Sequence, residues 1–282
     1  MRLVRHSAVL VLALAGAAVA QGQQPPGPRP ANQPPPPTQI PPEIVPDSSK
    51  AETTSASSDW MAEWDALWKR RNDPAVVEQL EKIVEDHLAQ DPDGFETNWR
   101  KAALIAWEAD GEPDGSQTKA AKGKIAWEAA DKAIRANQAD VRGHYYAGVG
   151  VGLYSEGVGI LAALSQGLEG KFRERLLAAL KINKDFLDGA PQVVWGRYFY
   201  KLPWPKRDPE ESIKVLTAAV KTHPNNWRAK LYLADSLHLN GLPGQDDQAH
   251  QLVDRILAAP GGNDPAEEAR IKERARKWKA DH

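Results

Sequence analysis

The 282 residues carry 36 basic and 38 acidic side chains, a formal net charge of -2, so no overall electrostatic pull on nucleic acid is expected. The chain has no cysteine, which excludes a disulfide framework, thiolate metal ligation and a lipidated N-terminal cysteine. Core packing must hold the fold, and ten tryptophans against four phenylalanines supply rings suited to wide gaps between helices or to a binding surface.

Residues 1–20, MRLVRHSAVLVLALAGAAVA, read as a secretory signal: Arg2 and Arg5 at the start, an apolar run from Ala8, and a small-residue cleavage site at Ala18-Val19-Ala20. The run falls short of the roughly 20 apolar residues of a membrane span, so an uncleaved anchor is the alternative reading. Cleavage near Gln21 is expected, with the mature protein in the periplasm of a Gram-negative bacterium or secreted and with no stable membrane insertion. Residues 21–58 hold 11 of the 22 prolines and almost no large apolar side chain, a composition that cannot bury a core. Such a chain favours the polyproline II form and could reach roughly 100 Å. It is a disordered linker or a ligand for a groove that accepts extended proline peptides.

From Asp59 the apolar spacing is helical and no alternating strand is evident, so residues 59–282 are predicted to form an all-α domain. Trp60, Trp64, Leu67 and Trp68 form one stripe after a candidate N-cap at Asp59. Helices follow at 74–90, 95–109 and 118–137, with turns at DPDG and EPDGSQ. The next stretch, RGHYYAGVGVGLYSEGVGILAALSQG from Arg142, is rich in glycine. It lacks the third glycine of a dinucleotide fingerprint, so the glycines are read as helix contacts. Gly148 and Gly152 then form one flat strip that Gly159 extends, the helix breaks or kinks after Gly157, and VGILAALSQG is an apolar insertion. Asp208 to Gly241 spans 34 residues, the period of one tetratricopeptide repeat. The turn at Pro224 has a counterpart 34 residues earlier at Ala190-Pro191, while the turns at Pro92, Gln138 and Ala190 lie 46 and 52 apart, as repeats with insertions.

The segments NWRKAALIAW, GHYYAGVGVGLYSEG, DGAPQVVWGRYFYKLPW and ESIKVLTAAVKTHPNNWRAKLYLADSLHLNG make residues 95–241 resemble a divergent tetratricopeptide-repeat (TPR) protein. Their order resembles the periplasmic T-component proteins of TRAP transporters and, more distantly, the regulator-of-microtubule-dynamics family. The resemblance implies a right-handed superhelix of stacked helical hairpins, an α-solenoid of about 3–5 repeats. It places Ala147-Gly148, Trp195-Gly196, Leu233-Ala234 and Ala102 at close helix crossings, met by Ala129, Ala133 and Ala219. The helix-packing set is therefore Gly148, Gly152, Gly196 and Ala234, and Gly148→Leu is expected to damage folding.

The same resemblance nominates Trp99, Arg142, Tyr145, Arg197, Tyr200, Arg228, Asp235 and His238 for a concave binding face. Arginines among aromatic rings suit a protein or peptide partner, with a small carboxylate or an apolar molecule as other ligands. No chemistry competes with this. Lys124 lacks the glycines and hydroxyl of a phosphate loop, and DPDGFE lacks the later ligands of a calcium loop. The histidines His87, His144, His223, His238 and His250 show no one-turn pair for zinc, and no serine sits in a glycine elbow. The C-terminal helix runs from Glu267-Glu268 to a basic patch at Arg274, Arg276, Lys277 and Lys279, suiting its own dipole. No catalytic residue, metal ligand or cofactor site is expected. The function expected is that of a non-enzymatic envelope scaffold or adaptor, or of a ligand-binding accessory to a TRAP-type transporter.

Overall fold

The computed structural model describes residues 59–282; the expected signal sequence at 1–20 and the expected linker at 21–58 lie outside the described residues. Twelve helices and no strand are present among the described residues. We number them α1 (59–68), α2 (Pro74–Gln90), α3 (Phe95–Gly111), α4 (Gln117–Ala136), α5 (Val141–Val158), α6 (Ile160–Ser165), α7 (Leu168–Asn183), α8 (Phe186–Lys201), α9 (Pro209–Thr222), α10 (Trp227–Asn240), α11 (Gln245–Ala258) and α12 (Pro265–Asp281). Among the described residues no helix is long and apolar enough to cross a membrane.

The helix starts follow the side chains. Asp73, Ser116, Asp140, Asp208, Asn226 and Asp264 each accept a hydrogen bond from a backbone N–H of the first turn that they cap. Asn226 does two jobs, since its Oδ1 accepts from Ala229 N at 2.9 Å and its Nδ2 donates to the Asp188 carbonyl at 2.8 Å. Asn226→Ala is expected to lower stability by about 1–2 kcal/mol, read as a lower urea midpoint at unchanged slope.

The predicted bounds of 74–90, 95–109 and 118–137 are met within two residues. α3 runs on to Gly111, which puts Asp110 on a helix instead of in a loop. The helix after Arg142 does end as its glycines suggest, because Gly159 has φ +89 and starts the separate six-residue α6. Gly159 therefore does not extend a helical strip. The turn expected at Ala190-Pro191 lies slightly earlier: Leu187, Asp188 and Gly189 are in the left-handed region, while Pro191 is buried just inside the helix that follows, where its missing N–H costs nothing.

From α2 onward each helix packs on its chain neighbours, and α3, α5, α8, α10 and α12 also pack in succession on one another. The core runs in three stretches: one around Trp64, Leu80, Leu104 and Tyr146, one around Val151, Phe172 and Leu176, and one around Leu216, Ile256 and Ile271. Trp64 is only 1% exposed, so the first tryptophan stripe is buried as its spacing predicts.

The glycine-rich helix packs differently from the expected pattern. A Cβ on Gly143, Gly150 or Gly157 would lie 3.0, 2.5 and 2.2 Å from Ile134, Trp127 and Ala120 of α4, and one on Gly123 of α4 would lie 2.4 Å from Tyr154. These glycines recur every seven residues, two turns apart, and face an antiparallel partner in constant register. They let the α4 and α5 backbones touch. Gly148 and Gly152 instead face α7, where a Cβ would meet Leu176 at 3.4 Å and Phe172 at 3.5 Å, an ordinary contact. Gly196 behaves as expected, since a Cβ there would meet the Leu216 side chain at 2.6 Å, and Ala147 and Ala234 are fully buried.

Candidate functional site

The successive helices α3, α5, α8 and α10 line a single cleft of about 1590 Å³. α6 adds Ile160, Ala163 and Leu164 to its wall, so the apolar insertion after Gly157 packs there. Of the nominated residues, Tyr145, Arg197, Tyr200, Arg228 and Asp235 line the cleft. Trp99, Arg142 and His238 do not. Trp99 is buried between Trp64 and Tyr146, and its indole N–H donates to Glu96 at 2.8 Å. Arg142 folds back on Asp140 at 2.8 Å and lies over the Phe95 and Trp99 rings. His238 is exposed and pairs with Asp246 at 2.7 Å. The misses are spread over three helices: Trp99 on α3, whose first turns are sealed by α1, Arg142 at the start of α5 and His238 in the last turn of α10.

The arginines do not await a carboxylate ligand, because the protein supplies its own. Arg197 Nη1 donates to Asp235 at 2.5 Å, and its guanidinium lies between the Tyr200 and Tyr232 rings, 4.1 and 4.3 Å from their centres. Arg228 donates to Glu267 at 2.6 and 3.0 Å, to Asp110 at 3.0 and 3.3 Å and to the Tyr232 hydroxyl at 3.1 Å. Arg71, Lys119, Lys201 and Arg274 also each face a carboxylate at 3.1 Å or less.

Asp110 is the hub. It accepts from Arg228 of α10 and from Arg270 and Arg274 of α12, and Arg270 also lies flat on Trp107 and donates to its carbonyl at 2.7 Å. Beside it, Arg71 grips the α12 cap Asp264 through two hydrogen bonds of 2.9 and 2.8 Å. α12 thus returns to the start of the domain, and the helical array closes into a circuit through an ionic seam. Arg274 points into this seam, not into an outward basic patch. Sequence reasoning missed Asp110, Glu267, Arg270 and Arg71. The signal was the 3- and 4-residue spacing of Glu267, Arg270 and Arg274, which puts one acidic and two basic side chains in a row on one face of α12.

Burial by itself would raise the Asp110 carboxyl, but Arg228, Arg274 and Arg270 outweigh it and hold it far below the ordinary carboxylate range. Burial also raises Asp114, and hydrogen bonds from Lys119 and Lys201 bring it down to about 2. A carboxyl whose folded pKa is depressed contributes stability above its unfolded value of about 3.9, and that contribution is lost as pH falls through the folded value. Thermal stability is therefore expected to fall between about pH 4 and pH 2. Asp114→Asn should flatten that fall, as followed by helical circular dichroism.

Burial raises the hydroxyls of Tyr145 and Tyr146 well above the usual tyrosine value, so both stay protonated donors. Among the described residues no group of three or more histidine or carboxylate side chains is arranged to hold a metal ion. No protein-family model matches the chain, and no curated protein matches it.

Proposed function

We propose that this chain is a non-enzymatic envelope protein of the tetratricopeptide type, an α-solenoid of about 3–5 helical hairpins, that holds a segment of a partner protein in its central cleft. The observation that carries the reading is that α3, α5, α8 and α10, which pack in succession, all face one cleft lined by Tyr145, Tyr146, Tyr200, Trp227 and Tyr232. Small-molecule pockets run to about 300–1,000 Å³; this cleft is larger, which favours a polymeric occupant. The signal-like N-terminus supports export to the periplasm or beyond.

A photo-crosslinking side chain placed at Tyr200 tests the reading in cells. A discrete adduct at Tyr200 and none at Ile125, exposed on α4, is the expected result. Equal labelling at both positions would count against the cleft.

The second reading is a ligand-binding accessory of a TRAP-type solute transporter, and the return of α12 onto α3 around an open cleft favours it over a filled solenoid. It predicts that a small solute raises the melting temperature by mass action. A panel of organic acids and neutral metabolites that leaves it unmoved would dismiss this second reading.

A further inference from the structure

One end of the domain carries two large apolar side chains in water. Trp204, in the loop between α8 and α9, is 88% exposed, and Leu161 on α6 is 73% exposed. Two ion pairs set them side by side, Lys201 with Glu156 at 3.0 Å and Lys206 with Glu169 at 2.6 Å. The segment 201–206 that holds Trp204 is thus fastened at both ends to the segment 156–169 that holds Leu161. The loop is tied down as well: the N–H groups of Lys206 and Arg207 donate to the Pro203 carbonyl at 2.9 and 3.1 Å, and Arg207 Nε donates to the Leu202 carbonyl at 2.8 Å. Around the two apolar side chains the charge is positive. Residues 160–173 and 202–208 hold four cations, Lys171, Arg173, Lys206 and Arg207, against the two carboxylates of Glu169 and Asp208. Both carboxylates are engaged, since Glu169 accepts from Tyr198 and Lys206 and Asp208 caps α9. Lys171, Arg173 and Arg207 are exposed and, among the described residues, meet a ring, a hydroxyl and a backbone carbonyl instead of a carboxylate.

We propose that this end docks on the surface of an anionic phospholipid bilayer, with Trp204 and Leu161 in the headgroup layer and the four cations against its phosphates. Tryptophan favours the membrane–water interface, where its ring meets acyl chains and its N–H stays wet. Each cation held close to an anionic leaflet adds attraction. A protein partner asks for a different surface. The middle of a protein interface is depleted of charge and packs tightly around its anchor, whereas this tryptophan stands among cations. A bilayer needs no matching shape. The contact is peripheral: among the described residues no helix is long and apolar enough to cross a membrane, and an attachment built this way is released by salt. Ile160, Glu169, Lys201 and Leu202 also line the cleft, so docking turns that rim of the cleft toward the membrane, whatever fills it.

Because the chain has no cysteine, a single introduced one reports the contact. The full chain carries a polarity-sensitive fluorophore at Ala162→Cys, exposed on α6, or at Ala139→Cys, exposed at the other end of α5. Each is mixed with vesicles of phosphatidylethanolamine and phosphatidylglycerol, or of phosphatidylcholine alone. The expected result is a blue shift at 162 and none at 139, with the phosphatidylglycerol vesicles only, reversed by about 0.5 M salt. Trp204→Ser/Leu161→Ser should weaken vesicle affinity about tenfold, and Arg173→Gln/Arg207→Gln about as much, both at unchanged melting temperature. Residues 1–58 are the same in every variant, so binding through the apolar N-terminal run would survive these changes. Affinity unchanged in the Trp204/Leu161 variant, equal shifts at 162 and 139, or equal shifts with both kinds of vesicle would each overturn the proposal. If no vesicle shifts the label, the proposal also fails, and a crosslinker at Trp204 that captures a discrete protein would give this end to a protein partner. The Tyr200 crosslink tests the cleft separately.

Discussion

Asp110→Ala is expected to cost about 3–5 kcal/mol, the penalty for leaving buried charges without their partner. Three guanidinium groups converge on this one carboxylate, and each comes from the far end of the sequence. Arg228 keeps Glu267 after the change, but Arg270 and Arg274 lose their carboxylate. Burial and the neighbouring arginines already hold Arg270 down at about 10, with Asp110 opposing them. Removing Asp110 withdraws the main attraction that keeps Arg270 charged in place. The measurement is a urea titration paired with limited trypsin digestion. The expected pattern is a lower midpoint and early cleavage after Arg270 and Arg274. A midpoint within about 1 kcal/mol of the parent would mean that the seam is no stronger than an exposed ion pair.

The second large effect separates two sets of glycines on one helix. Gly150→Ala and Gly157→Ala should each cost about 2–3 kcal/mol, as overpacking does in a tight core, because the new methyl would run into the Trp127 or Ala120 backbone. Backbone cannot rotate aside as a side chain can. Gly148→Ala, two residues from Gly150, should be neutral or gain up to about 1 kcal/mol from helix propensity, since its Cβ meets Leu176 at 3.4 Å. Equal losses at Gly148 and Gly150 would refute the heptad register of α4 and α5.

Those glycines show what the sequence could and could not reveal. That the stretch was helical, and that it broke after Gly157, followed from composition and from the absent fingerprint. Which face met which neighbour did not, because the residues of α5 offer small side chains on two sides. Gly148 and Gly152 lie four apart, as helix neighbours do, whereas the buried row of Gly143, Gly150 and Gly157 is spaced by seven and is visible only against α4. The candidate site shows the same division. Tyr145, Arg197, Tyr200, Arg228 and Asp235 reach the cleft because the helical period places them there. Their partners were illegible, because Asp110 and Arg228 are 118 residues apart and no local pattern couples them. An arginine that reads as a ligand hook in one dimension turns out to be occupied in three.

The ionic seam also orders events in time. The helical hairpins form from contacts near in sequence, whereas the seam joins residues up to 193 apart, and such contacts are made after their loop-closure cost has been met. The seam therefore belongs to the late side of the folding barrier. Weakening it through Arg71 or Asp264 should leave the refolding rate near its parent value and speed unfolding. The lifetime of the closed circuit is then set by four arginines and two aspartates at the join.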